Sequence, residues 1–166
     1  MKKLALSIAA AVSLFMSFAL PARADYNQLF AEALEICLNS YPDMGEIRRN
    51  ARSAGFRSVG QRQGTDFFTS AGDRVIMMVN ASNSDRSCGL GQNRLRGQNA
   101  VDSVQQILAN TVGDRAHPID VSDSRVFIAG WFVENGNAGY VVAVRWQINI
   151  QGFFTGSLVV VLDGDE

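Results

Sequence analysis

The stretch SRVFIAGWFVENGNAGYVVAVRWQINIQGFFTGSLVVVLD, residues 124–163, carries the clearest structural pattern of this chain. It holds three apolar, β-branched runs, separated by the turn-forming segment 135–139 and by the tight pair Gln151-Gly152. Runs of this composition joined by short turns predict an antiparallel meander. In the middle run every second residue from Tyr140 to Ile150 is apolar, so one face of that strand belongs to a hydrophobic core.

The second face of this predicted sheet is partly apolar as well. The first and last runs are apolar on both faces, whereas the second face of the middle run changes from Val141 and Ala143 to Arg145, Gln147 and Asn149. Large apolar surfaces are rarely left open to water. We therefore expect the first helix, loops or another subunit to cover part of the second face.

Helical spacing of apolar residues predicts three helices upstream of the meander. The first covers residues 26–39, and the second begins at a capping box made by Asp43 and Glu46. The third has Asn99 as its cap and ends at Gly113.

Three more strands are predicted between the second and third helices, at residues 66–70, 74–82 and 86–90. The element order is then ααβββαβββ. This order predicts a single α+β domain in which helices pack against an antiparallel sheet.

The first 24 residues have the form of a secretory signal peptide. Lys2 and Lys3 precede an uncharged apolar run, residues 4–20, and Ala22-Arg23-Ala24 supplies the small-residue cleavage pattern. We expect cleavage after Ala24, which leaves residues 25–166 as one soluble domain in the periplasm or the medium. The alternative is an uncleaved N-terminal anchor of about the shortest spanning length. No later apolar run reaches the ~18 residues of a membrane helix, so no integral membrane segment is expected after removal of the leader.

The mature chain would be acidic overall but unevenly charged. Three of the 15 basic residues lie in the leader, which leaves 12 arginines against 16 acidic residues and a net charge of −4. Residues 45–96 alone hold nine arginines against four acidic residues. An exported acidic chain in which no motif combines basic with aromatic residues is not expected to bind nucleic acid.

Cys37 and Cys88 are the only cysteines of the chain, and an even number of cysteines in an exported protein predicts a disulfide. Closing a loop of about 50 residues would stabilise the fold by roughly 4 kcal/mol. The alternative makes Cys88 a catalytic thiolate beside Arg86 and the start of the third helix. That thiolate needs a base, and the single histidine, His117, lies beyond the far end of the helix.

Arginines of the second helix and of the glycine-rich loop GLGQNRLRG, residues 89–97, form the main candidate binding site. The loop has neither the dinucleotide-binding nor the P-loop spacing, so its glycines are first interpreted as turn residues. If helix and loop lie side by side, their arginines would bind a carboxylate, a phosphate, a sulfated sugar or an anionic head group. The alternative is a solvated helix face. The candidate anion site comprises Arg48, Arg49, Arg52, Arg94 and Arg96.

Aromatic residues of the meander offer a second candidate, a pocket for an apolar ligand, with an ordinary hydrophobic core as the alternative. They are Trp131, Tyr140, Trp146, Phe153 and Phe154.

No residue stands in a nucleophile, metal-ligand or cofactor motif, so the sequence predicts no catalytic residue, no metal and no cofactor. We therefore expect a non-catalytic ligand-binding, accessory or interaction module stapled by one disulfide. Its expected partner is an anionic small molecule or an envelope protein. The alternatives are a small hydrolase with a spatially assembled site and a homo-oligomeric structural protein, of which a homodimer is the simplest form.

Overall fold

The computed structural model describes residues 26–82, 85–93, 95–136, 138–150 and 154–164. The predicted leader, Arg94 and the Gln151-Gly152 turn lie outside these residues. The helices are α1 Tyr26–Ser40, α2 Met44–Ser53 and α3 Gln98–Thr111, and a short 3-10 turn follows α3 at Gly113–Arg115. The strands are β1 Arg57–Arg62, β2 Thr65–Thr69, β3 Val75–Ser82, β4 Asp85–Gln92, β5 Ala116–Pro118, β6 Phe127–Asn135, β7 Ala138–Ile150 and β8 Phe154–Asp163.

The strands of the described residues form one antiparallel sheet in the order β1-β2-β3-β4-β8-β7-β6-β5. Two meanders, β1 to β4 and β5 to β8, join where β4 pairs with β8, from Ser87 opposite Leu162 to Gly91 opposite Leu158. The helix α3 connects the two meanders along the chain. This architecture confirms the predicted α+β class, with helices packed on an antiparallel sheet.

Two short strands extend the predicted order, and both lie at an edge of the sheet. Every residue of β1 is exposed, and its sequence RSVGQR shows no alternation of apolar and polar residues. The register of β1 shifts just before Gly60, whose φ is +129°. A polar, irregular edge strand discourages pairing with another chain. The segments β1 and β5 are strands because they pair with a neighbouring strand, and not because their residues prefer the extended conformation.

The predicted ends of the helices hold for α2 but not for the start of α3. Asp43 accepts a hydrogen bond from the Glu46 N–H at 2.8 Å, as the capping box requires. The predicted cap Asn99 is wrong, because Gly97 occupies the N-cap position of α3 and makes no side-chain cap. The Gly97 N–H is instead bound to the hydroxyl of Ser157 at 3.1 Å, which starts the helix earlier.

All three helices pack on one face of the sheet, which we call the core face. Alternate strand residues point to this face, and they form one hydrophobic cluster with the buried stripes of the helices. Fully buried members include Phe30 and Leu34 of α1, Ile47 of α2, Val104 of α3, and Phe68 and Val142 of the sheet.

The predicted disulfide between Cys37 and Cys88 is present, and it ties α1 to β4 across the core. Both residues are fully buried, and their Cα atoms are 6.0 Å apart. Tyr41 makes a second tie nearby, because its hydroxyl donates to Asp163 Oδ1 at 2.8 Å while Arg86 pairs with the same carboxylate at 3.2 Å. Burial, together with the hydrogen bond to this carboxylate, raises the pKa of Tyr41 well above its ordinary value.

The opposite face of the sheet, the second face, carries a smaller apolar cluster. Ile76 and Leu158 are buried there, with Phe67, Met78 and Val160 partly buried around them. The predicted cover by the first helix is wrong, because the residues of α1 belong to the core-face cluster. The second face is therefore shielded in part by contacts among its own side chains.

Candidate functional site

A cavity of about 940 Å³ opens at the end of the sheet where β3 begins and β4 ends. We call it the end cleft. Its walls are the turn before β3, the loop between β4 and α3, and the first turns of α3 and α1. The lining is mainly polar and includes Arg74, Gln92, Asn93, Arg96, Asn99 and Ser103.

The loop between β4 and α3 is held against β8 by its backbone. The Ser157 N–H donates to the Leu95 carbonyl at 2.7 Å, and the Thr155 N–H donates to Asn93 Oδ1 at 3.3 Å. Gly156 lies between them, and a Cβ atom at this position would be 2.6 Å from the carbonyl oxygen of Gln92. Only glycine lets the loop approach this closely, so Gly156 sets how tightly the loop that lines the end cleft packs on β8.

Gln92 is the buried polar residue of the end cleft. It is 6% exposed, and its Oε1 atom has no hydrogen-bond partner among the described residues. An unpaired buried amide oxygen costs free energy, on the order of 1–3 kcal/mol. A ligand that offers an O–H or N–H group would recover this cost once the Gln92 side chain turns this enclosed oxygen toward the cleft.

The charged residues of the end cleft differ in whether they have a partner. Asp73 accepts hydrogen bonds from Arg57 at 3.3 Å and from the Thr69 hydroxyl at 3.1 Å, and Asp102 accepts one from the Gln98 side chain at 2.8 Å. Arg96, in contrast, is exposed and has no ion-pair partner within the described part of the chain. The cleft thus holds engaged carboxylates beside an available cation.

The first turn of α3 adds donors to this surface. Backbone N–H groups of a helix's first turn have no partner within the helix, and they carry the positive end of its dipole. In α3 no side chain caps them, because the N-cap residue is Gly97 at φ +51°; the Ala100 N–H is bound to the Gly97 carbonyl at 3.0 Å, which leaves the N–H groups of Gln98 and Asn99. Asn99, one residue into the helix, lines the cleft. The cleft therefore combines a helix N-terminus, Arg96 and an unpaired acceptor on Gln92.

The structure does not bring the predicted candidate anion site together. Arg48 forms an ion pair with Asp66 of β2 at 2.6 Å, and the Arg52 guanidinium lies 5.6 Å from the ring centre of Phe68. The Arg49 guanidinium lies 3.9 Å from the carboxylate of Asp43, the N-cap residue of α2. No α2 arginine lines the end cleft, and Arg94 lies outside the described residues.

Among the described members of the predicted set, Arg96 is therefore the one that lines the end cleft, together with Arg74 and Gln92. Sequence reasoning missed these two residues as site residues. Arg74 follows a turn and Gln92 ends a strand, and neither position carries a motif. The pairing of Val75 with Gln92 at one end of the sheet is what places them side by side.

The thiolate alternative for Cys88 is removed by its disulfide bond to Cys37. The single histidine, His117, lies on the exposed edge strand β5, where its Nε2 atom is 3.1 Å from Glu134 Oε1. Neither residue lines the end cleft. Among the described residues no cluster of three or more His, Cys, Asp or Glu side chains could hold a metal ion.

The predicted aromatic pocket is partly assembled elsewhere. Trp131 and Trp146 line a groove of about 700 Å³ between α3 and residues 118–131, which we call the tryptophan groove. Tyr140 is instead a core residue, and its hydroxyl donates to the Leu38 carbonyl at 3.0 Å. Phe153 and the side chain of Phe154 lie outside the described residues.

Within the ranges that the structure describes, no helix is long and apolar enough to cross a membrane. Comparison with protein-family models, curated proteins and solved structures finds no match.

Proposed function

We propose that this chain is an exported, non-catalytic binding protein whose ligand is a small polar molecule with a negative charge, held in the end cleft. The observation that carries the proposal is the buried Gln92 amide, whose oxygen has no partner, in a cleft that also contains the available cation Arg96. Sites for small molecules commonly occupy roughly 300–1,000 Å³ and place a few polar groups for orientation. The end cleft has this size.

Export is supported by the form of the first 24 residues and by the disulfide. A basic start, an apolar middle and a small-residue end are typical of a leader peptide. Disulfides persist in oxidising compartments such as the periplasm and the medium. The binding protein would then be the chain from Asp25 onward.

Each part of the cleft suits one group of such a ligand. The Arg96 guanidinium can bind a carboxylate or phosphate through paired N–H donors, and the open first turn of α3 favours negative charge. Gln92 Oε1 accepts a hydrogen bond, so it selects a ligand that carries a hydroxyl or an amine beside its anionic group. The ligand class is therefore a hydroxy acid, an amino acid or a sugar acid.

The test is a calorimetric titration of residues 25–166 with L-malate and succinate, which differ by one hydroxyl group. We expect malate to bind more tightly, because only malate can satisfy Gln92 Oε1. R96A should weaken malate binding by tenfold or more, since a hydrogen bond to a charged group contributes about 1.5–3 kcal/mol. R49A is the matched control, because it removes an equal charge from an exposed arginine outside the cleft.

A second variant separates the two recognition elements. Q92M replaces the amide with an apolar side chain of similar volume, and it should bring malate affinity down to that of succinate. Equal malate affinity in R96A and R49A would contradict the proposal, as would the absence of saturable binding of either acid at millimolar concentration. Recovery of the protein with residues 1–24 still attached in an unexported fraction would contradict the export part of the proposal.

The second face supports one other candidate function, self-association into a homodimer. The supporting observation is the apolar cluster around Ile76 and Leu158, on the face opposite the helices. Multi-angle light scattering would then give twice the mass of residues 25–166, and M78E on this face would give the single mass. V59E, on the exposed edge strand β1, is the control. A single mass for the unmodified protein at high concentration excludes this candidate.

A further inference from the structure

The tryptophan groove concentrates exposed apolar side chains at one place on the surface. Among the described residues three large apolar side chains are exposed: Trp146 at 56%, Ile119 at 37% and Val59 at 48%. Two of these three, Trp146 and Ile119, line the groove. Its floor is closed by Trp131, which is 7% exposed and part of the core. Trp146 therefore presents a large aromatic surface at a concave position rather than on a convex one.

The wall opposite α3 is held rigidly by short-range contacts. The Ile119 N–H donates to the Gly130 carbonyl at 3.0 Å, and a Cβ atom on Gly130 would be 2.9 Å from Ile119 Cγ1. The Ser124 hydroxyl accepts from the Phe127 N–H at 2.9 Å, and the Trp146 N–H donates to the Val126 carbonyl at 2.9 Å. A wall fixed in this way loses little conformational freedom when it binds a ligand.

The polar groups of the groove are mostly neutral. The wall formed by α3 contributes the side-chain amides of Gln98 and Gln105, and the opposite loop contributes Ser122 and Asp120. No arginine or lysine is among the described lining residues. Asp120 accepts a hydrogen bond from the Ser122 N–H at 2.8 Å, which holds the pKa of this carboxyl below its ordinary value. The carboxylate is thus an ionised acceptor across the physiological range.

These features discriminate among ligand chemistries. A fatty-acyl chain or an apolar peptide would cover Trp146 but would offer no hydrogen bond to the exposed Gln105 amide or to the Asp120 carboxylate in place of the water lost on binding, which is costly. An anionic ligand would find no cationic side chain among the described lining residues, and the Asp120 carboxylate would oppose the attraction of the α3 N-terminus at Gly97 and Gln98. A sugar ring fits both surfaces, because its C–H groups can lie on the negative face of the indole while its hydroxyls bond to amide and carboxylate groups.

We infer that the tryptophan groove is a second binding site, for a neutral sugar ring stacked on Trp146 with its hydroxyls bonded by Gln105 and Asp120. The volume of about 700 Å³ leaves room for more than one ring, so the ligand class is a short neutral oligosaccharide. This site shares no lining residue with the end cleft, so the sugar ligand can be tested independently of the ligand proposed for the cleft.

The test is calorimetric titration of residues 25–166 with cellotriose, maltotriose and chitotriose, and with decanoate as the apolar probe. We expect saturable binding of at least one trisaccharide and none of decanoate. W146A should weaken that binding about tenfold, the loss expected for one stacked ring. W146F should retain most of the affinity because it keeps an aromatic face. V59A and R49A, which lie outside the groove and outside the end cleft, should bind the sugar as the unmodified protein does.

Two controls keep the result interpretable. Thermal unfolding of W146A should match that of the unmodified protein, because this side chain is more than half exposed. If W146A does not fold, Q105A on the exposed surface of α3 takes its place, with a loss of a few-fold in sugar affinity expected from one hydrogen bond. Binding of decanoate without any trisaccharide, sugar binding unchanged in W146A, or no saturable binding of any trisaccharide would each overturn the inference.

Discussion

Removing the disulfide should cost this domain a large part of its stability. The bond joins Cys37 of α1 to Cys88 of β4, 51 residues apart in sequence. In the loop-entropy model a closed loop of this length restricts the unfolded chain by about 4 kcal/mol. A domain of this size has a free energy of unfolding of roughly 5–15 kcal/mol, so the loss would be a large fraction of it.

The loss of packing around the two cysteines further lowers the free energy of unfolding. Both cysteines are fully buried, so the double variant C37A/C88A also leaves two small voids where the sulfur atoms were. The helix α1 would remain tied to the sheet by Tyr41 and by the Tyr140 hydroxyl bound to Leu38. We therefore expect a folded but weakened protein rather than a loss of structure.

The assay is urea unfolding of residues 25–166 in three forms: oxidised, treated with a reductant, and C37A/C88A. The midpoint should fall by about 1.3–4 M urea, which follows from about 4 kcal/mol and a slope of about 1–3 kcal/mol per molar urea. Reductant should lower the midpoint of the unmodified protein and leave that of C37A/C88A unchanged. A loss below about 1 kcal/mol in the double variant would refute the reasoning.

Three further predictions concern single side chains. Folding raises the pKa of Tyr41, so the stability that this residue contributes is present below the ordinary tyrosine pKa of about 10 and is lost as the pH rises above it. The Y41F variant should have a free energy of unfolding about 1 kcal/mol lower at neutral pH. In urea unfolding at alkaline pH, its stability should fall less steeply than that of the unmodified protein. R48A should lower the free energy of unfolding by about 1 kcal/mol, because the ion pair of Arg48 is three-quarters buried. R49A should change it by less than about 0.5 kcal/mol, because the Arg49 side chain is 66% exposed. Equal effects of the two variants in urea unfolding would contradict this. G156A places a methyl group 2.6 Å from the Gln92 carbonyl oxygen, so it should cost about 1–3 kcal/mol in thermal unfolding and weaken malate binding as well; an unchanged melting temperature would show that the loop yields freely.

Much of the fold could be predicted because its signals are local. The alternation of apolar residues in β7 assigns its core face, and the helical spacing around Cys37 places that residue inward, where it meets Cys88. The cap at Asp43 depends on residues three positions apart, so a short segment of sequence is enough to predict it. The edge strand β1 was missed because it has no apolar face, and the start of α3 was misplaced because its fixing contact, Ser157, lies 60 residues away.

The candidate sites depended on contacts that no short segment contains. Nine arginines in residues 45–96 suggested one basic face, but Asp66 and Phe68 of β2 engage Arg48 and Arg52 on α2, and Arg96 is the one described member of the predicted set that lines the end cleft. The fold class, the disulfide and most helix boundaries could thus be predicted from the sequence alone, since apolar periodicity and capping follow from local geometry and two cysteines allow one intramolecular pair. The tertiary structure alone decided which polar groups remain without partners, because that depends on the strand order, which brings Gln92 beside Gly156 and Trp146 beside Val126.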